Sequence, residues 1–173
     1  MDDISKFNGH FHGSCFCSAV QFQIEGLPSW SVICHCTICA RLSGSSGVDL
    51  VAWRNHDAFK IVEGEDKLTH FNSSPAMQRS FCKVCGSPVI NKSLTDEMVF
   101  FDVPLTLFKR NEREEILFLP LLKSKSHMFY TRRLHNHPDG LDKFETYPFG
   151  EPLKVDAAGN VLPIESATPS PPQ

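Results

Sequence analysis

The chain has 173 residues, 41% of them apolar, with 17 Lys and Arg against 20 Asp and Glu for a formal net charge of −3. That length and apolar share suit one domain with its own core and exclude a disordered or fibrous chain. The slightly acidic balance argues against nucleic acid as a partner, since the densest basic runs are only Lys123, Lys125 and the pair Arg132, Arg133.

The opening MDDISKFNGH carries two acids at once and no apolar run, so no secretory signal is expected, and residues 1–11 read as a flexible leader. No stretch of 18 apolar residues calls for a membrane span. The expected setting is therefore cytoplasmic, where thiols stay reduced. In SAVQFQI, Val20, Phe22 and Ile24 alternate with polar or small neighbours, which predicts a half-buried strand. WSVICH, VDLVAW, FKIV, KLTHF and MVFFDV follow as further short β-rich runs, most bounded by Gly, Pro, Asn, Ser or Asp. NEREEILFLPLLK is the one helix-like stretch, and Pro120 should end any helix there near Leu119. The Pro-rich end VLPIESATPSPPQ has little to bury, so residues 151–173 read as an extension, disordered from about residue 163. Residues 12–150 form the expected domain: mainly β, of short antiparallel strands, with one or two short helical turns and 14 Phe to furnish its core.

Seven cysteines fall in three clusters: Cys15 and Cys17 in GSCFC, Cys34, Cys36 and Cys39 in CHCTIC, and Cys82 and Cys85 in FCKVCG. An odd, clustered set in a reducing compartment points to metal rather than disulfides. C-x-x-C-G has the shape of a zinc knuckle, and Cys15 and Cys17 share one face of an extended chain. These two pairs supply the four thiolates of a closed structural zinc site. Bridging Cys17 to Cys82 would staple a long loop, and such sites contribute on the order of 10 kcal/mol of folding free energy.

Cys34, Cys36 and Cys39 are then three ligands without a fourth cysteine, the pattern of a catalytic zinc that keeps a position open. Three thiolates leave the ion at net charge −1, which weakens its Lewis acidity and favours a soft thiol as the exchangeable ligand. Two alternatives stay open. A histidine among His12, His70, His127, His135 and His137 closes the site, or the three sulfurs hold no metal. His35 is a poor ligand candidate, because alternation turns it away from the face of Cys34 and Cys36.

The order G-x-C-x-C, C-x-C-x2-C, F-C-x2-C-G resembles the glutathione-dependent formaldehyde-activating enzymes, whose domain is shared with centromere protein V. GSCFCSAVQFQI, CTICARLSGSSG, FKIVEGEDKLTHFNSS, MQRSFCKVCGSPV, HMFY and DGLDKFETYP continue the likeness from Gly13 to about Pro148. The resemblance implies a Mss4-like, β-tent fold stapled by zinc, with two Zn2+ per chain. Cys15, Cys17, Cys82 and Cys85 would hold the structural ion, and Cys34, Cys36 and Cys39 the catalytic one. It implies a carbon–sulfur lyase that forms S-hydroxymethylglutathione from formaldehyde and glutathione. A site on the same zinc acting as lyase, isomerase or hydrolase on another small electrophile is the alternative. A non-catalytic zinc binding module is a third, which the lack of a long basic extension disfavours.

Supporting groups are Arg41 and Arg79 as anion contacts, Ser43, Ser45 and Ser46 in a Gly/Ser loop, and His127 as proton carrier or second partner of the metal site. Trp30 and Trp53 fit either a roomy apolar pocket or plain core packing.

Overall fold

The computed structural model describes residues 4–163. The strands are β1 (His10–Ser14), β2 (Gln21–Glu25), β3 (Trp30–Cys34), β4 (Val48–Trp53), β5 (Phe59–Glu63), β6 (Leu68–Ser74), β7 (Met77–Cys82), β8 (Pro88–Ser93), β9 (Phe101–Pro104), β10 (Ser126–Met128) and β11 (Asp142–Lys143). Two short α-helices join them, α1 (Thr37–Ser43) and α2 (Leu119–Leu122). The architecture is mainly β, as the strand-rich sequence predicts.

β1, β2 and β5 form a small antiparallel sheet. The remaining strands form a larger sheet in the order β11-β10-β3-β4-β9-β8-β7-β6. Its pairs are antiparallel except at one end, where β10 runs parallel to both β3 and β11. That parallel end matters for the site, because it sets Met128 beside Cys34.

Burial follows the sequence pattern strand by strand. In β2, Phe22 and Ile24 are fully buried while Gln21 and Gln23 are half-buried and Glu25 is exposed, the alternation of a sheet with one dry face. β9 is buried throughout and β4 over its last four residues, as expected of central strands covered on both faces. The two sheets meet through aromatic rings. Phe22 stacks on Phe59 at 5.4 Å, Phe59 meets Phe101 edge-on at 5.5 Å, and Trp53 stacks on Phe101 at 5.4 Å. Trp53 therefore belongs to this core, with its indole N–H donating to the Gly26 carbonyl. A second, smaller cluster of Val32, Leu50, Met128 and the three cysteines of CHCTIC surrounds the candidate site.

Gly64 shows why the turn after β5 needs glycine. Its φ is +75°, and a Cβ there would lie 1.7 Å from the Ala19 carbonyl oxygen. No side chain fits that approach.

Two expectations meet a different outcome, at the start of the chain and at Pro120. Residues 4–11 are not a loose leader: Ile4–Lys6 forms a 3-10 turn and β1 begins at His10. Phe7 packs on Phe11 at 4.6 Å and on Phe118 at 5.3 Å, with Phe11 buried. The acids and Asn around Phe7 masked a two-ring anchor. The helix expected to end near Leu119 begins there instead. Pro120 sits in the first turn of α2, where its missing N–H costs nothing, and the preceding residues form a tight hairpin closed by an Arg110–Ile116 bridge. Residues 151–163 are tied down by a Val155–Val161 bridge and by the Tyr130 hydroxyl donating to the Gly159 carbonyl. The disorder expected beyond residue 163 lies outside the described residues.

Phe7→Ala tests the anchored start. Loss of a half-buried aromatic should lower unfolding free energy by about 1–3 kcal/mol in urea titration, whereas a loose leader would give no change.

Candidate metal centres and the cavity between them

The first cluster is built by two turns. Cys15 ends the β1 turn with its amide bonded to the Val20 carbonyl, and Ser18 adopts φ 59° to close it. Cys82 ends β7, and Cys82–Gly86 folds so that the Gly86 amide donates to the Cys82 carbonyl. The two turns are held together by the Phe16 amide donating to the Ser87 hydroxyl.

Four sulfurs converge as a result. Cys15 Sγ lies 3.6 Å from Cys17 Sγ, which lies 3.9 Å from Cys82 Sγ, and with Cys85 all four lie within 4.8 Å of one another. These separations exceed any S–S bond of about 2.05 Å. They match a tetrahedral zinc, whose S–Zn bonds of about 2.3 Å set sulfurs about 3.8 Å apart. The protonation of the cluster points the same way. The Cys17 thiol is drawn down by the Ala19 amide but pushed up, to about 12, by burial and by the hydrogen bonds with Cys85, Cys15 and Cys82. Ser87 holds Cys85 down at about 5. A cation bound among these sulfurs would displace the thiol protons that remain.

The second cluster is set by a strand end and a helix start. Cys34 is the last residue of β3, and Cys36 caps α1 with its sulfur accepting from the Cys39 amide at 3.3 Å. One helical turn then brings Cys39 over Cys36. All three are buried, their sulfurs within 4.8 Å of one another. Hydrogen bonds from Cys34 and Cys39 pull the Cys36 thiol far down. Cys34 is pushed far up by its bonds with Cys36 and Cys39 and by burial. Cys39 is drawn down by Cys34, yet its bond with Cys36 and burial raise it to about 12. The three sulfurs form a donor set that could hold a divalent cation, whose binding would displace the remaining thiol protons. Both donor sets fit zinc.

No fourth His, Cys, Asp or Glu joins these three sulfurs among the described residues. His12 and His70 line other cavities. His127 and His137 gather on the opposite side of β3 with His35, and His135 meets His137 there. None of the five candidate histidines closes the cluster, which leaves one side of it without a protein ligand.

That open side faces a cavity of about 220 Å³ whose floor is Cys34, Cys36 and Cys39. Arg79 and Asp102 line it as well, with the rings of Trp30, Phe100, Phe129 and Tyr147 as walls. Arg79, on β7, directs Nη1 at the Cys39 sulfur from 3.9 Å and its Nε donates to the Ser73 hydroxyl. Asp102, on β9, is buried and accepts from Asn91 Nδ2 at 2.5 Å. Burial raises its carboxyl to about 6, against the pull of Asn91 and Arg79. A second cavity of about 260 Å³ opens on the far side of Cys39, Leu50 and Arg79, which both cavities share.

The supporting residues sort accordingly. Arg79 reaches the sulfurs, and Trp30 lines the cavity. Arg41 lies exposed on α1 and lines neither cavity. Ser43 lines the second cavity, while Ser45 and Ser46 stay in their loop. His127 does not face the sulfurs. Its Nδ1 lies 2.8 Å from His35 Nε2 and its Nε2 2.7 Å from Asp139 Oδ2, while His35 Nδ1 meets the Ser46 carbonyl at 3.2 Å. This chain clamps the CHC corner from behind. His127, His137 and Asp139 also approach one another closely, with the Lys143 ammonium on Asp139 Oδ1 at 2.5 Å and His127 Nε2 on Oδ2. Asp102 is the site residue that the sequence reading missed. Its signal was a lone acid inside the apolar run FFDV.

The sequence profile of the glutathione-dependent formaldehyde-activating enzymes matches residues 10–116, well over half of the chain. The chain belongs to that family. Its mainly β architecture and cysteine clusters are those expected of a small β-rich member. Among solved structures it is similar to the crystal structure of a Rhodobacter sphaeroides protein, at 21% identity over 61% of this chain and 97% of that one, with a TM-score of 0.48. Among the described residues, no helix is long and apolar enough to cross a membrane.

Asp102 yields a signed prediction. Its folded pKa is raised above the unfolded 3.8, so its ionisation opposes folding as pH rises from about 4 through 6. Asp102→Asn keeps an acceptor for Asn91 and should raise unfolding free energy at pH 8 by roughly 1–3 kcal/mol. The gain should fade by about pH 4. Denaturant unfolding at the two pH values checks both parts.

Proposed function

We propose that the protein is a zinc-dependent enzyme that makes or breaks a bond between a thiol sulfur and a carbonyl carbon, as in the addition of glutathione to formaldehyde. The observation that carries this reading is the open side of the three-cysteine cluster, turned into a cavity that also holds Arg79 and Asp102. Family membership supports the substrate class.

Zinc held by Cys34, Cys36 and Cys39 supplies a Lewis acid and a ligand position suited to thiol sulfur. The four-cysteine ion is structural in this reading, and both sites call for a reducing, cytoplasmic setting. The chemistry itself is an addition. The S–C bond forms as the C=O π pair becomes a C–O–H, and the thiol proton ends on that oxygen, with no oxidant or reductant. Asp102, poised near pH 6, takes the thiol proton and returns it to the oxygen. Arg79 places a guanidinium where negative charge gathers on that oxygen. The aromatic walls exclude water and hold the two reactants together.

The hemithioacetal also forms unaided, so the test is acceleration at equilibrium, read by exchange NMR for formaldehyde with glutathione and with benzyl mercaptan. Wild type should accelerate exchange. Cys39→Ser and Arg79→Met should each reduce that acceleration by roughly 100-fold, and Asp102→Asn should lose activity while gaining stability. Full activity in Cys39→Ser would defeat the reading.

A further inference from the structure

The histidines behind the three-cysteine cluster are one positive charge short. Ser46, His35, His127 and Asp139 stand in a line of three contacts. The Ser46 carbonyl lies 3.2 Å from His35 Nδ1, His35 Nε2 lies 2.8 Å from His127 Nδ1, and His127 Nε2 lies 2.7 Å from Asp139 Oδ2. Both ends of this line are acceptors. Each neutral imidazole brings a single N–H, so two protons serve three contacts and one contact sets two lone pairs against each other. An added proton on His127 would repair it, but that ring is fully buried, and burial holds its pKa below the ordinary histidine value against the pull of Asp139.

An independent anomaly stands beside the line. His137 Nε2 is buried and has no hydrogen-bond partner, a costly state for a polar atom. Its ring lies 5.0 Å from that of His127. One ring nitrogen of each histidine and one carboxylate oxygen of Asp139 lie within 4.8 Å of one another.

We propose that His127 Nε2, His137 Nε2 and Asp139 Oδ2 form a third metal site, for a divalent transition metal, separate from both cysteine clusters. Two imidazoles with one carboxylate suit Zn2+ and its neighbours rather than Mg2+ or Ca2+, which take oxygen ligands. Water fills the fourth position. With the ion on Nε2, His127 Nδ1–H donates to His35 Nε2 and His35 Nδ1–H donates to the Ser46 carbonyl. Every contact in the line is then satisfied, and the ligand is oriented by the partner on its other nitrogen. Ligand atoms on a tetrahedral zinc stand about 3.3 Å apart, so the 2.7 Å contact of His127 with Asp139 opens by about 0.6 Å on loading. The Asp139 side chain is 35% exposed, which gives the ion a way in from solvent. The Lys143 ammonium on Asp139 Oδ1 fixes the carboxylate and, by its charge, keeps the ion weakly held. The site therefore fills from added metal and stays empty in protein purified without it.

Calorimetric titration of the full chain, purified without added metal or chelator, with Zn2+ tests this. One further ion per chain should bind above those retained from purification, and His137→Ala should weaken that step about tenfold or more. The His137 amide, which donates to the Tyr130 hydroxyl, survives the substitution, so the variant should fold normally. His70→Ala, at an exposed histidine elsewhere, should change nothing. Ring-nitrogen NMR of the wild type needs no variant: zinc should shift the Nε2 signals of His127 and His137 while His127 Nδ1 stays protonated. No further ion taken up, uptake undiminished in His137→Ala, or uptake weakened equally in His70→Ala would overturn the inference. So would a doubly protonated His127 in the presence of zinc, because a proton would then complete the line.

Discussion

Four sulfurs from two turns 65 positions apart in the chain converge within 4.8 Å of one another, and the rest of the molecule is arranged around that convergence. One turn closes the small sheet at β1 and the other joins β7 to β8 in the large sheet. Their meeting ties the two sheets at one end, while the Phe22, Phe59, Phe101 and Trp53 stack ties them across the middle. The four sulfurs stand at the spacing of zinc ligands and could hold a cation at their centre. A strand-rich chain with short elements would gain from such a staple the rigidity that long strands otherwise give.

The large sheet then positions the chemistry. β3 delivers Cys34, α1 delivers Cys36 and Cys39, β7 delivers Arg79 and β9 delivers Asp102, so the cavity floor draws on four separate elements. Rigid strands, rather than loops, set three of them. Behind the floor, the chain from Ser46 through His35 and His127 to Asp139 fixes the corner that carries the cysteines. Burial of Asp102 works against stability at neutral pH, a cost that a purely structural sheet would have no reason to carry.

The metal clusters were legible in the sequence because ligand spacing is local. C-x-C and C-x-x-C-G fix how two sulfurs point whatever the fold around them. The strand runs with period two were legible for the same reason. β7 and β8 were not, since MQRSFC and SPVINKS mix charged and apolar residues, and both Arg79 and Asn91 turn inward toward the site. Asp102 hid within an apolar run, and its partnership with Asn91 exists only once β8 and β9 pair. Phe7 looked like part of a polar leader because its value depends on Phe118, far along the chain. Pro120 was read as a stop when it serves as a start, since a proline's effect depends on which side of it the helix lies. Arg41 and His127 lay near the cysteines in sequence or motif but face elsewhere. Proximity along the chain does not say which way a side chain points.

The most direct test of the two-centre account is the zinc content of protein purified without added zinc or chelator, measured by mass spectrometry of metals on wild type and on Cys39→Ser. The account predicts two ions per chain in the wild type, falling to about one in the variant while the protein stays folded. One ion per chain in the wild type, unchanged by Cys39→Ser, would contradict it, because the three-cysteine cluster would then hold no metal.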